Sequence, residues 1–294
     1  MAVYKRTYKV YEGPLTPAWS RFSILTRYSV SSLFDSRLFT GYTVLCLVPT
    51  LALIVFIYVT HLPALQASLK LQPDELPAFD QFWFTWALPA NVGLSFFMVA
   101  WVAPTLIIRD FSNQAIQLYL SRPLSRMEYL LGKIAVLAGL LSCITWVPSL
   151  ILFGLQAQME GNGWGWRHLL IPVAMMVGSW LWIAVVSLLA LAFSVWVRSR
   201  IIATALIFVV FGFLPGFAAV FDAILRTPWG NVFILTYVLK VVWAHLFAFS
   251  PQFIHARGLD QIPLWSAWAS IGITCLVSFL LLEAKLRARE VERG

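Results

Sequence analysis

Six long apolar runs alternate with short polar connections along the chain, at about Phe39–Leu62, Trp86–Ile108, Ile134–Leu155, Leu169–Val197, Ile201–Phe221 and Leu264–Leu282. Each is close to or above the ~20 residues a helix needs to cross the hydrocarbon of a bilayer. None carries Lys, Arg, Asp or Glu in its interior. The pattern predicts an all-α integral membrane protein with six transmembrane helices over residues 39–282. Prolines fall inside these runs, at Pro49, Pro89, Pro104, Pro148, Pro172 and Pro215. Membrane helices accept them because neighbouring helices satisfy the carbonyls that proline leaves without a donor. Gly212-Phe-Leu-Pro-Gly216 has the small-xxx-small spacing that lets helices approach closely, within one subunit or between two.

Two flanking segments are amphipathic rather than spanning. Residues 1–15 are too polar for the apolar core of a signal peptide. Thr16-Pro17 then supplies an N-cap followed by proline at the first helical position. From Pro17 to about Arg37, Trp19, Phe22, Leu25, Leu33 and Phe34 share one side of a helical wheel, and Arg21, Arg27, Ser31 and Asp35 share the other. Ile24 and Ser29 interrupt the pattern. This predicts a helix lying in the membrane interface within a cytoplasmic segment 1–38. Trp229–Phe249 is apolar enough to pass for a seventh span, but Lys240 would then stand near its middle at a cost of roughly 2.5–3.5 kcal/mol. The expectation is an aromatic helix or re-entrant pair within an outer segment 222–262, anchored by Trp229, Tyr237 and Trp243.

The charges orient these elements. Sixteen of the 21 Lys and Arg lie on the side that holds the N-terminal segment, the 109–133 connection, Arg198, Arg200 and the tail 283–294. Positive residues accumulate on the inside. Both termini and the 109–133 connection are therefore expected in the cytoplasm of a multi-pass cell (inner) membrane protein. Hydrophobic residues are 60% of the chain and charged ones 12%, so the net charge of +8 reflects membrane orientation and not binding to nucleic acid. Cys46, Cys143 and Cys275 all lie within apolar runs, with no spacing for a disulfide framework or a metal.

The longest polar connection, Arg109–Lys133, is more than a joint. Ser125-Arg126-Met127-Glu128 is a capping box, with Leu124 and Tyr129 placed for a hydrophobic staple, so a new helix starts there and runs into the third span. Pro123 forces Arg122 out of helical geometry. Upstream, Phe111, Ala115 and Leu118 recur at the spacing of a short amphipathic helix. A small surface helix, a proline break and a freshly capped helix make the shape of a docking element.

Leu118 to Lys133, Leu-Tyr-Leu-Ser-Arg-Pro-Leu-Ser-Arg-Met-Glu-Tyr-Leu-Leu-Gly-Lys, resembles the cytoplasmic loop of ABC-2 type transporter permeases. Members of that family often have a small helix ending in Leu-x-x-x-Pro-x-Ser-Arg-x-Glu, then Gly-Lys at the start of the next span. Many also carry an acidic residue and Gly-Thr at the front of that helix, where this chain has Asn113, Gln114 and Ala115, which leaves the subfamily and its substrate open. The resemblance implies a coupling helix between spans two and three that docks into a separate ATP-binding subunit. Asp110, Phe111, Gln114, Leu118, Tyr119, Arg122, Pro123 and Arg126 are its expected interface, and Ser125 and Glu128 the cap of span three. It also implies a second permease subunit, identical or related, and an outer helical segment before the last span.

The chain carries no chemistry of its own to drive transport. It has no G-x-x-x-x-G-K-[ST] phosphate loop, since Gly132-Lys133 stands alone and is followed by Ile134. No cofactor, catalytic residue or metal ligand is expected in this chain; ATP and Mg belong to the partner ATPase. G-x-S-x-G and H-E-x-x-H are absent. Without ionisable residues inside the spans, a proton- or ion-coupled mechanism is disfavoured. The same charge-free spans point to a hydrophobic or amphipathic cargo, and so to an exporter in contact with membrane lipid. The alternative is a membrane-embedded lipid-modifying enzyme whose outward site would gather around His245 and His255, with Asp260.

Overall fold

The six apolar runs all become helices long enough to span a bilayer in the computed structural model, which describes residues 21–69, 81–112, 126–197, 199–226 and 228–291. The first span is α2, Arg37–His61, preceded by α1, Arg21–Phe34, and followed by a short α3, Pro63–Leu69. The second is α4, Gln81–Ser112, whose apolar window is Trp86–Ile108. The third is divided into α5, Arg126–Ile144, and α6, Trp146–Glu160; after a one-turn α7, Trp164–Arg167, the fourth is α8, Leu170–Trp196. The fifth begins as α9, Arg200–Phe208, and ends as α10, Leu214–Leu225. A 3-10 turn, Pro228–Phe233, then leads into α11, Leu235–Leu246, and α12, Pro251–Ala256; the last span is in α13, Leu264–Val291.

Proline chemistry explains the two divided spans. Pro148 has no amide to offer the Ile144 carbonyl, and its ring crowds that carbonyl. The helix breaks at Thr145 (φ −95°, ψ −84°). The Thr145 hydroxyl donates back to the Leu141 carbonyl at 2.8 Å, and the Ser149 hydroxyl donates to the Thr145 carbonyl at 2.8 Å, so hydroxyls on both sides of Pro148 bond carbonyls. Pro215 does the same to the Phe211 carbonyl. The chain widens upstream into a π segment over Val209–Phe213, from which the Leu214 amide reaches the Val209 carbonyl, five residues back.

The core is built around α8, which packs on α4, α5, α9, α11 and α13. Small side chains along it (Ala174, Gly178, Ser179, Ser187, Ala190, Ala192 and Ser194) are all buried and allow this close approach. Spans two, three and four are the inner ones, whereas spans one, five and six keep most of their apolar surface outward. Some polar side chains bond between helices: the Asn91 amide donates to Thr50 at 3.2 Å, and the Trp182 indole donates to Ser95 at 2.9 Å. At one end of the bundle His61 meets Glu160 at 3.1 Å, joining spans one and three. At the other end the Trp196 indole donates to the Leu281 carbonyl at 3.2 Å, and Lys285 lies over the Trp196 ring.

The segment after span five folds back against the bundle. The 12 residues of α11 are too few to cross. Its inner face, including Val238, Val241, Val242 and Trp243, is buried against α8 and α13. The Trp243 indole donates to the Gly178 carbonyl at 3.1 Å, eight residues into α8, roughly 12 Å along the helix from Leu170. A Cβ on Gly178 would come within 2.9 Å of that ring, so only glycine admits the tryptophan here. Tyr237 is tied by its hydroxyl to the Gly258 carbonyl at 2.6 Å, and Trp229 packs on Trp265. The anchoring role expected of Trp243 thus becomes a core contact.

Gly212 and Gly216 have open space where a Cβ would stand, so the small-xxx-small stripe packs against nothing within the described chain. The expected N-terminal helix is present over α1, and the part of that expectation on residues 1–20 lies outside the described residues. Helix α1 packs against α5.

Candidate functional site

The ends of the 113–125 connection, which itself lies outside the described residues, are held by a buried ionic junction. Helix α4 continues past its apolar window to Ser112, so Asp110 sits on its last turn. Helix α5, described from Arg126 onward, carries Tyr129 and Lys133 one turn apart on one face. Lys133 is 3% exposed. Its ammonium lies 2.8 Å from the Asp110 carboxylate, 3.5 Å from the Ser29 hydroxyl of α1, and over the Tyr129 ring at 5.6 Å. The Tyr129 hydroxyl donates to the same Asp110 oxygen at 2.9 Å. Thr26 of α1 donates to the Gly132 carbonyl at 3.2 Å.

The arrangement joins α1, span two and span three at one point. A buried ammonium needs a counter-charge and hydrogen bonds together, since either alone leaves desolvation unbalanced. Asp110 provides the charge and Ser29 an acceptor, while Tyr129 steadies Asp110. Ser29 interrupts the apolar side of α1 in sequence; in the fold it meets Lys133. The pair ties both ends of the 113–125 connection to two spans and α1.

Of the residues expected at the ATPase interface, Asp110 has its carboxylate turned to Lys133 and Tyr129. Phe111 lies on the last turn of α4 and Arg126 on the first of α5, and their side chains lie outside the described residues. Gln114, Leu118, Tyr119, Arg122, Pro123 and Ser125 lie outside them altogether. Glu128 stands in the first turn of α5, where a carboxylate favours the helix dipole. Sequence reasoning missed Lys133, Tyr129, Ser29 and Thr26 as members of the site. The one-turn spacing of Tyr129 and Lys133 was the available signal, but their partner is 23 positions upstream of Lys133, on another helix.

The residues of the alternative enzymatic reading take local partners. His245 Nδ1 bonds the Val241 carbonyl of its own helix at 2.8 Å. His255 Nδ1 pairs with Asp260, both exposed to solvent. No group of three or more His, Cys, Asp or Glu among the described residues is placed to hold a metal ion. The hydrogen bond and charge of Asp260 raise the His255 imidazole above its ordinary 6.5, and the same bond lowers Asp260 below 3.8. The His255 contribution to folding is thus complete below pH 6.5 and fades as pH rises through the raised value. The Asp260 contribution is present above 3.8 and fades as pH falls through the lowered value. An NMR titration should give His255 a midpoint above 6.5, and Asp260→Asn should return it to about 6.5. An unchanged midpoint in the variant would show that the pair is not formed.

A family model described as ABC-2 family transporter protein matches residues 35–216, from just before α2 to the first turn of α10. No curated protein matches the chain. The matched stretch is more than half of the 294 residues and includes Asp110, Tyr129 and Lys133. The outer turn, α11, α12 and the sixth span lie beyond it. Six apolar helices and this match agree: the chain is a multi-pass membrane protein that belongs to the ABC-2 transporter family, a permease of an ABC transporter.

Proposed function

We propose that this permease exports a hydrophobic or amphipathic substrate and is energised by a separate ATP-binding chain docked on the 109–123 segment. Family membership implies association with such an ABC subunit, and ATP and Mg are held there. The observation that carries the reading is the Asp110–Lys133 junction, which couples both ends of the 113–125 connection to span two, span three and α1. Movement imposed on a docked segment has a stiff route into the bundle, and the proline-broken spans have places to bend. Two permease subunits form the pathway. The uncovered face of span five with Gly212, Gly216 and the exposed Phe213 and Phe217 supports a contact between them. Both termini lie in the cytoplasm and the bundle sits in the cell (inner) membrane, on the distribution of Lys and Arg.

The test is mild solubilisation of native membranes and purification through this chain, followed by reconstitution. An ATP-binding protein co-elutes, and ATP-dependent movement of an amphiphile across the vesicle membrane needs both chains. Nucleotide binding by the isolated permease, or transport without the partner, would overturn the reading. Orientation is tested separately in a background without native cysteines. Cysteines at Gln72 and Asn231 react with an impermeant thiol reagent on intact cells, and one at Asn113 reacts only after permeabilisation.

A further inference from the structure

At the end of span two remote from Asp110, roughly 30 Å along the helix, lies a cavity of about 390 Å³ that the transport reading does not use. That volume is in the range of small-molecule sites. Its walls are apolar: Trp86 and Leu88 from α4, Trp243 from α11, and Phe247, Phe249 and Phe253 beyond it. Two cations, Lys240 and Arg257, complete the lining. Among the described residues neither makes an ion pair with a carboxylate. The neighbouring acid, Asp260, is engaged by His255 instead.

The local backbone builds this site deliberately. Helix α11 stops at Phe247, and Ala248 takes a left-handed conformation (φ +49°), which non-glycine residues adopt at a cost of about 1–2 kcal/mol. That turn sends Phe249 back toward the bundle, its amide bonded to the Ala244 carbonyl. Ser250 then caps α12 through the Phe253 amide at 3.3 Å, with Pro251 at the first helical position. The outcome is a graded ladder. Phe247 is buried, Phe249 lies 6.1 Å from it, Phe253 stacks on Phe249 at 4.3 Å, and the Arg257 guanidinium lies over Phe253 at 5.1 Å. The walls become less apolar outward and end in positive charge. The Tyr237–Gly258 and Asn231–Gln261 bonds pin the α12 loop over the cavity.

We infer that this cavity binds an anionic amphiphile, its phosphate or carboxylate between Lys240 and Arg257 and its apolar tail along the phenylalanine ladder toward Trp243. The shared chemistry fits a membrane phospholipid or a free acidic amphiphile. The inference does not depend on the transport reading, because binding is measured on this chain alone.

The test titrates the full chain, purified in neutral detergent, with short-chain phosphatidylglycerol, the matching phosphatidylcholine, and inorganic phosphate. Phosphatidylglycerol binds most tightly, and Lys240→Gln with Arg257→Gln weakens it about thirty-fold, from roughly fivefold per cation near an anionic lipid. The charge-retaining pair Lys240→Arg and Arg257→Lys keeps most of the affinity, as does Arg167→Gln outside the cavity. A photoreactive phosphatidylglycerol labels peptides that contain residues 86–89 or 240–259 of the unmodified chain, a readout that needs no variant. Equal affinity for the two phospholipids, or label elsewhere, would overturn the proposal. Inorganic phosphate binding as tightly as the phospholipid would reduce it to an anion site and overturn the assignment of the tail. A full-length phosphatidylglycerol retained through purification and lost in the glutamine pair identifies the bilayer as the source, and exchange with a free acidic amphiphile identifies the solution.

Discussion

Asp110→Leu is expected to lower the stability of the solubilised permease by about 3–5 kcal/mol, the cost of leaving a buried charge without its partner. Lys133 is 3% exposed and cannot turn to water without displacing α1 or the start of α5. The variant removes the carboxylate at 2.8 Å and the acceptor of the Tyr129 hydroxyl together. Replacing both charges, in Asp110→Leu with Lys133→Met, should recover most of the loss, because an apolar pair of similar volume is often as stable as a buried ion pair. Thermal unfolding in detergent reads both variants. The double variant also separates stability from transmission. If the junction carries motion from the docked ATPase, the refolded double variant retains the partner and its ATP hydrolysis but transports poorly. Wild-type stability in the single variant would mean that Lys133 is not buried as described, and wild-type transport in the double variant would leave the junction as packing alone.

The second large effect is expected at the docking segment. Buried aromatic and large aliphatic anchors dominate contacts of this size, and Phe111, Leu118 and Tyr119 fall at suitable spacing. Tyr119→Ala should cost about 1–3 kcal/mol of ATPase docking. Arg122 and Arg126 would set orientation at the rim more than affinity. Ser125→Ala should cost about 1 kcal/mol at the start of α5 without impairing membrane insertion. The diagnostic combination for Tyr119→Ala is a permease at its normal level in the membrane, with the co-purified ATPase and transport lost together. If both persist at wild-type level, the connection does no more than join two spans, and the proposed energy source loses its main support.

Residue type and order alone determined a good deal here. An uninterrupted apolar run near 20 residues has only one way to satisfy its backbone in a bilayer, so six helices and their approximate limits were legible, and the family match supports that reading. A capping box acts within four residues and so is readable from sequence; its Ser125 lies outside the described residues, and Glu128 stands in the first turn of α5. Lys240 ruled out a seventh crossing because the cost of a central charge is local and large. Prolines marked positions without an amide donor, a property of the residue itself, but did not tell Pro148 and Pro215 from Pro49, Pro89, Pro104 and Pro172, which lie in continuous helices.

Only the tertiary structure decided where those irregularities fell and what they made possible. Pro148 became a break at Thr145, whereas Pro215 became a π segment. Asp110 was legible as a polar residue at a span end, but its pairing with Lys133 depends on α4, α5 and α1 meeting at one depth, which no periodicity encodes. Trp243 read as an interfacial anchor and became a core residue because Gly178, 65 positions away, leaves room for its ring. Local chemistry sets which segments are helices and where each begins. Which side chains meet is set by how helices of different length and tilt share one small core, and that is a property of the whole bundle.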